Sequence, residues 1–131
     1  MKARYGVSSN LSAICLNGQT VDLTIAAGVI VSLTEVPGPA RAVILPLPIE
    51  PHVHLNKTFT AQRCRAQKPG LFGAIEAMAQ DVGNWTADDL RLRMMRAIED
   101  AWLNGVAAMR SHCDWTAPAV PLAWDVMGEV A

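Results

Sequence analysis

From Val43 to Val53 the chain is apolar except at Glu50 and His52, and three prolines, Pro46, Pro48 and Pro51, interrupt the run. Such a stretch reads as a strand buried on both faces, although each proline removes a ladder donor. The strand proper is therefore expected to be short, about Ile49 to His54. It ends in His52-Val53-His54. Side chains two apart on a strand point to the same side, so the two imidazoles can share one metal ion, and imidazole suits zinc or iron. Taken alone, two histidines at this spacing are more often incidental or structural, hydrogen-bonded residues.

The residues downstream narrow the architecture. Pro69-Gly70 ends a loop, and Leu71 to Gln80 reads as a short helix with Ile75 and Met78 on one side. A clearer helix follows: Thr86 is a good N-cap, Asp88 and Asp89 complement the helix dipole, and Leu90, Met94, Ile98 and Trp102 form one apolar stripe. Asn104-Gly105 closes it. Val106 to Met109 is a second apolar strand leading into Arg110-Ser111-His112-Cys113-Asp114. Strand, helix, strand in that order predicts a βαβ unit with a parallel pair and a right-handed crossover. Ala119 to Ala131 begins a further helix. The four tryptophans and Met94-Met95 read as packing residues, and Cys113 as a core residue.

Upstream, Ser12 to Leu16 and Gln19 to Ile25 flank Asn17-Gly18, which supplies the positive φ angles of a type I′ hairpin turn. Val29 to Leu33 is a third strand. Three short strands are marginal without a partner element. Pro37, Gly38 and Pro39 mark the exit from this layer, giving a small β domain at 1–42 and a second region at 43–131.

The chain has 131 residues and a formal net charge of −1, with no basic stripe, so neither nucleic acid nor an anionic membrane is an expected partner. A small neutral molecule is. Cys15, Cys64 and Cys113 are an odd, scattered set without a Cys-x-x-Cys pair, which suggests a reducing cytoplasm rather than a disulfide framework. The opening residues lead into no apolar signal region, and the run Ile25 to Leu33 is too short to span a bilayer.

The stretch Leu45-Pro46-Leu47-Pro48-Ile49-Glu50-Pro51-His52-Val53-His54-Leu55-Asn56-Lys57-Thr58 closely resembles the opening strand of the amidohydrolase superfamily, where a small β domain and a proline-containing crossing segment precede His-x-His, usually followed by Leu-Asp. The resemblance to the cytosine-deaminase branch continues into Arg110-Ser111-His112-Cys113-Asp114, which is similar to that branch's Arg-Thr-His-x-Asp segment. It implies an α/β fold: part of a composite β-sandwich, then the first strands and helices of a metal-dependent (β/α)8 barrel. That barrel would be incomplete here, since a closed one needs about 250 residues. The resemblance also implies one divalent ion, zinc or iron, on His52 and His54, activating water against an amidine-like carbon to expel ammonia or an amine. The later ligands and the proton-shuttling glutamate of the family fall outside this chain, so no catalytic residue is assigned.

Asn56 stands where relatives usually carry aspartate, and a plain polar loop residue is an equal reading. His112 and Asp114 could support the metal histidines from behind, or form structural hydrogen bonds together with Arg110. Lys57 reads as a solvated lysine. The implied activity is hydrolysis of non-peptide C–N bonds in a cyclic amidine or related N-heterocycle; a homo-oligomer is left open. N-alkylammelide aminohydrolases share the opening motif, so cytosine is one candidate among several. The deaminase type with His-x-Glu and Pro-Cys-x-x-Cys does not match. The alternative is a catalytically inactive truncated remnant or an assembly partner, because a half-built sheet leaves an unpaired edge. A small standalone metal module is a third reading, which would need His112 or a cysteine as an added ligand.

Overall fold

Asn17 and Gly18 sit at φ 51° and 86°, and Ala27 and Gly28 at 50° and 77°. Two consecutive positive φ angles match the right-handed twist of the flanking strands, so each pair folds the chain tightly back on itself. The result is a meander of β1 (Ser9–Leu16), β2 (Gln19–Ala26) and β3 (Val29–Glu35), all antiparallel. The computed structural model describes residues 8–115 and 118–131. The opening segment read as carrying no export signal lies largely outside them.

A short β4 (Ala42–Val43) pairs parallel to β1, giving the sheet order β3-β2-β1-β4. Val43, which opens the apolar run, therefore belongs to this sheet, and the Ile44 N–H donates to Cys15 O. The chain divides into two compact units, the first ending at Pro46 and the second starting at Leu47. In the first, Ile14, Val21 and Leu23 form the core, with Ile25 and Ile44 against them.

In the second unit β5 (Ile49–Val53) and β6 (Ala108–Ser111) lie side by side and parallel, as the strand-helix-strand order requires. Their register shifts between Glu50 and Val53, at Pro51, which has no N–H to give. Bulges of this kind re-aim the neighbouring side chain, here that of His52.

Between the strands run α1 (Gly70–Asp81) and α2 (Ala87–Leu103), and α3 (Leu122–Val130) follows β6, starting after Pro121. Thr86 caps α2, its Oγ1 accepting from the Asp89 N–H at 3.2 Å, and Gly105 ends it at φ 84°. Leu55, Leu90, Met94, Ala123 and Val126 make the core, with α3 packed on α2.

Several apolar expectations are corrected. The apolar run is not buried on both faces: Leu45, Leu47 and Ile49 are exposed, because β5 has one strand neighbour among the described residues and only Val53 reaches the core. The α2 stripe fades at Trp102, which is 68% exposed and takes no part in the core that holds Leu90, Met94 and Ile98. Trp115, Trp124 and Met95 are also exposed, so among the tryptophans it is Trp85 that packs on the core. On α1 the buried positions are Gly73, Ala77 and Asp81, while Ile75 is exposed and Met78 only half-buried.

Candidate functional site

His52 and His54 leave β5 at its C-terminal end, one on the strand and one just past it. Their Nε2 atoms lie 3.3 Å apart. A tetrahedral ion with metal–nitrogen bonds of about 2.0–2.1 Å holds two ligand nitrogens about 3.3–3.4 Å from each other, so this pair fits such an ion. Burial, helped by the Lys57 ammonium and opposed by the Asp114 carboxylate, pushes His54 below its usual pKa. That favours the neutral, lone-pair form a metal requires.

The 3₁₀ turn Leu55–Lys57 directly follows, the Lys57 N–H donating to His54 O at 2.9 Å, and it carries Lys57 onto Asp114. Lys57 is thus a half-buried ion-pair partner of Asp114 and not a freely solvated lysine. The other oxygen of Asp114 lies 3.4 Å from His54 Nδ1, close enough for charge attraction although outside hydrogen-bond geometry.

His112 joins the same group. Its N–H donates to Val53 O, and its ring lies against that of His52 with centroids 4.1 Å apart and planes 32° from parallel. That is a contact between ring faces, which does not aim a third nitrogen at the Nε2 pair. Accordingly, among the described residues no set of three or more His, Cys, Asp or Glu side chains converges as a metal cage. Asn56 is 3% exposed, with its Oδ1 lacking a partner, and His112 Nε2 is also buried without one. Arg110 is exposed.

A curated pterin deaminase from Rhizobium rhizogenes is 37% identical to this chain over 81 residues, 60% of this chain and 18% of that protein. Over that stretch the chain is similar to a deaminase, and it spans less than a fifth of that protein's length. Two structures of the 5-methylcytosine deaminase of Klebsiella pneumoniae, liganded with phosphonocytosine and with 5-fluorocytosine, share its fold at 24% identity, with TM-scores of 0.71 and 0.72. Each match covers 95% of this chain, which spans about a third of those structures, 33% and 32%. No family model matches.

The turn after His54 is held by a side chain that sequence reading missed. Arg93, 6% exposed, donates to Asn56 O at 2.6 Å and Thr58 O at 3.0 Å, and to Asp89 at 2.9 and 3.1 Å. Asp89 also accepts both ends of the Arg63 guanidinium, and Arg63 Nε donates to Asp81, which takes the Trp85 indole N–H at 2.7 Å. Bonds from Arg63 and Arg93 hold the Asp89 carboxyl well below the usual carboxylate range. The available signal was a charged residue three after Leu90 on the buried face, with an aspartate four before it.

Proposed function

We propose that the chain carries the opening part of a metal-dependent hydrolase acting on C–N bonds other than peptide bonds, in a cyclic amidine or related N-heterocycle. The observation that carries this reading is the 3.3 Å Nε2 to Nε2 separation of His52 and His54 at the C-terminal end of β5. Active sites of (β/α)8 barrels collect at that end of the strands, and β5 with β6 would be neighbours in such a barrel. On this reading the small β domain, expected at 1–42, extends to Pro46, since Ala42–Val43 pairs with β1, and the start of the barrel runs from Leu47 to Ala131. The relatives' names, pterin deaminase and 5-methylcytosine deaminase, support an N-heterocycle as substrate.

His52 and His54 would hold one zinc or iron ion, which supplies an acidified water as nucleophile at neutral pH. The surrounding residues orient that pair. The charge of Asp114, 3.4 Å from His54 Nδ1 but not hydrogen-bonded to it, would favour the tautomer with its proton on Nδ1, which leaves Nε2 as the lone pair. His112 limits the swing of the His52 ring from one face. Two imidazoles are one protein ligand short of the three that catalytic zinc sites carry, so the 131-residue chain alone is proposed to bind metal weakly and to turn over nothing.

Cobalt titration followed by visible absorption tests the site: one ion per chain, lost in both His52→Ala and His54→Ala, is expected. Binding that survives both substitutions would sink the assignment. Ammonia release from cytosine, pterin and N-alkylated triazines should not exceed the metal-only blank; turnover that disappears in the two variants would overturn the inactivity of the chain by itself.

A further inference from the structure

His54 is the residue at which β5 gives way to the turn. It sits at φ −111° and ψ 84°, with ψ short of the roughly 115° of a parallel strand. That angle sets the direction of the turn relative to β5, and with it where the imidazole stands beside that of His52. Ser111 and His112 grip the chain on either side of His54. The His112 N–H donates to Val53 O at 2.8 Å, and the Leu55 N–H donates to Ser111 Oγ at 3.2 Å. The first is a backbone bond, which any residue but proline supplies, whereas the second depends on one side chain. The Leu55 N–H and the His54 C=O belong to one peptide plane, and His54 O accepts the Lys57 N–H at 2.9 Å. That plane is held at both edges, which fixes the ψ of His54.

We infer that Ser111 is a positioning residue for the histidine pair: its hydroxyl, bridging Leu55 and Met127, keeps His54 Nε2 at 3.3 Å from His52 Nε2. Ser111 Oγ lies 3.1 Å from Met127 Sδ, so its hydrogen is directed to α3 and its lone pairs are left for the Leu55 amide. Neighbouring residues of an extended chain face opposite sides, and the His112 ring lies against His52. Ser111 therefore faces the helices and acts through the backbone, not as a ligand. Ligand distances in metal sites hold within about 0.2 Å, so the pair tolerates little drift. The consequence for metal rests on the reading of His52 and His54 proposed above, whereas the positioning itself exists without metal.

The test titrates the full chain with cobalt, followed by visible absorption, as wild type, Ser111→Ala, Ser111→Thr and Ser111→Val. Threonine and valine both suit a strand and differ by the hydroxyl. Ser111→Ala and Ser111→Val should bind cobalt about tenfold more weakly than wild type, with a changed visible band at saturation, and Ser111→Thr should stay within about threefold. Thr86→Ala, which weakens the start of α2, should leave cobalt affinity unchanged and so separates positioning from lost stability. With chelator present, the proton NMR cross-peak between the His52 and His54 rings should be seen in wild type and Ser111→Thr and weaken in Ser111→Ala and Ser111→Val. If Ser111→Ala does not fold by circular dichroism, the comparison of Ser111→Thr with Ser111→Val decides. Unchanged cobalt affinity or an unchanged cross-peak in a folded Ser111→Ala or Ser111→Val chain would overturn the inference. So would equal losses in Ser111→Thr and Ser111→Val, an equal loss in Thr86→Ala, or a wild type without the cross-peak. A wild type that binds no cobalt rejects the metal reading instead, and the cross-peak then decides the role of Ser111.

Discussion

At the α2 end of the turn Leu55–Lys57, every strong donor meets an acceptor: Arg93 bonds two carbonyls and Asp89, Asp89 bonds Arg63, and Asp81 joins Arg63 to Trp85. At the strand end of the same turn the polar groups are left wanting. His54 Nδ1, Asn56 Oδ1 and His112 Nε2 are buried without hydrogen-bond partners, and they are the orphaned side-chain atoms found among the described residues. A saturated network rigidifies, while an unsaturated one stores a cost that only a ligand, ion or water removes. The first cluster therefore reads as scaffold, and the second is the proposed site.

The largest expected effect breaks the scaffold. Arg93→Met leaves the carbonyls of Asn56 and Thr58 without this donor and removes one of the two arginines that hold Asp89, and urea denaturation should show a loss of about 3 kcal/mol. A loss under about 1 kcal/mol would mean that the network is ornamental and the contrast false.

Acid should reach the same cluster. The folded Asp89 carboxyl titrates below its ordinary value of 3.8, so its ionised form stabilises the fold above that pH and the contribution is lost as pH falls below it. Urea midpoints taken from pH 6 down to pH 3 should fall more steeply for the wild type than for Asp89→Asn. Equal slopes would remove Asp89 from the scaffold.

Thr86→Ala deletes the N-cap that starts α2 just before this network, an expected cost of about 1 kcal/mol by thermal unfolding. The smallest effect is expected at the site. His112→Phe keeps a flat ring against His52 while removing an unpaired nitrogen, and it should change stability by less than about 0.5 kcal/mol or raise it. A loss of 2 kcal/mol or more would place His112 in the scaffold and erase the distinction.

Much of this was legible in local sequence. Asn17-Gly18 specified a hairpin because few residues tolerate positive φ, and Thr86 with Asp88 and Asp89 announced the start of α2. The spacing of His52 and His54 placed both rings on one side, and their closeness to each other followed. What local pattern could not supply was partnership. Hydrophobicity at Leu47, Ile49 and Trp102 shows that burial would be favourable, not which surface provides it, and all three are exposed.

The ion pair of Lys57 with Asp114, the stacking of His112 on His52 and the reach of Arg93 to the carbonyls of Asn56 and Thr58 span 57, 60 and up to 37 positions of chain. None leaves a periodic trace, because each depends on the parallel register of β5 with β6 and on where α2 crosses the turn after β5. Sequence by itself determined the elements and the two histidines, since backbone dihedral preferences and side-chain period act between near neighbours. Tertiary structure alone decided which polar groups are satisfied and which are left open, since a hydrogen bond needs its partner within about 3 Å, and only the folded chain brings distant residues that close.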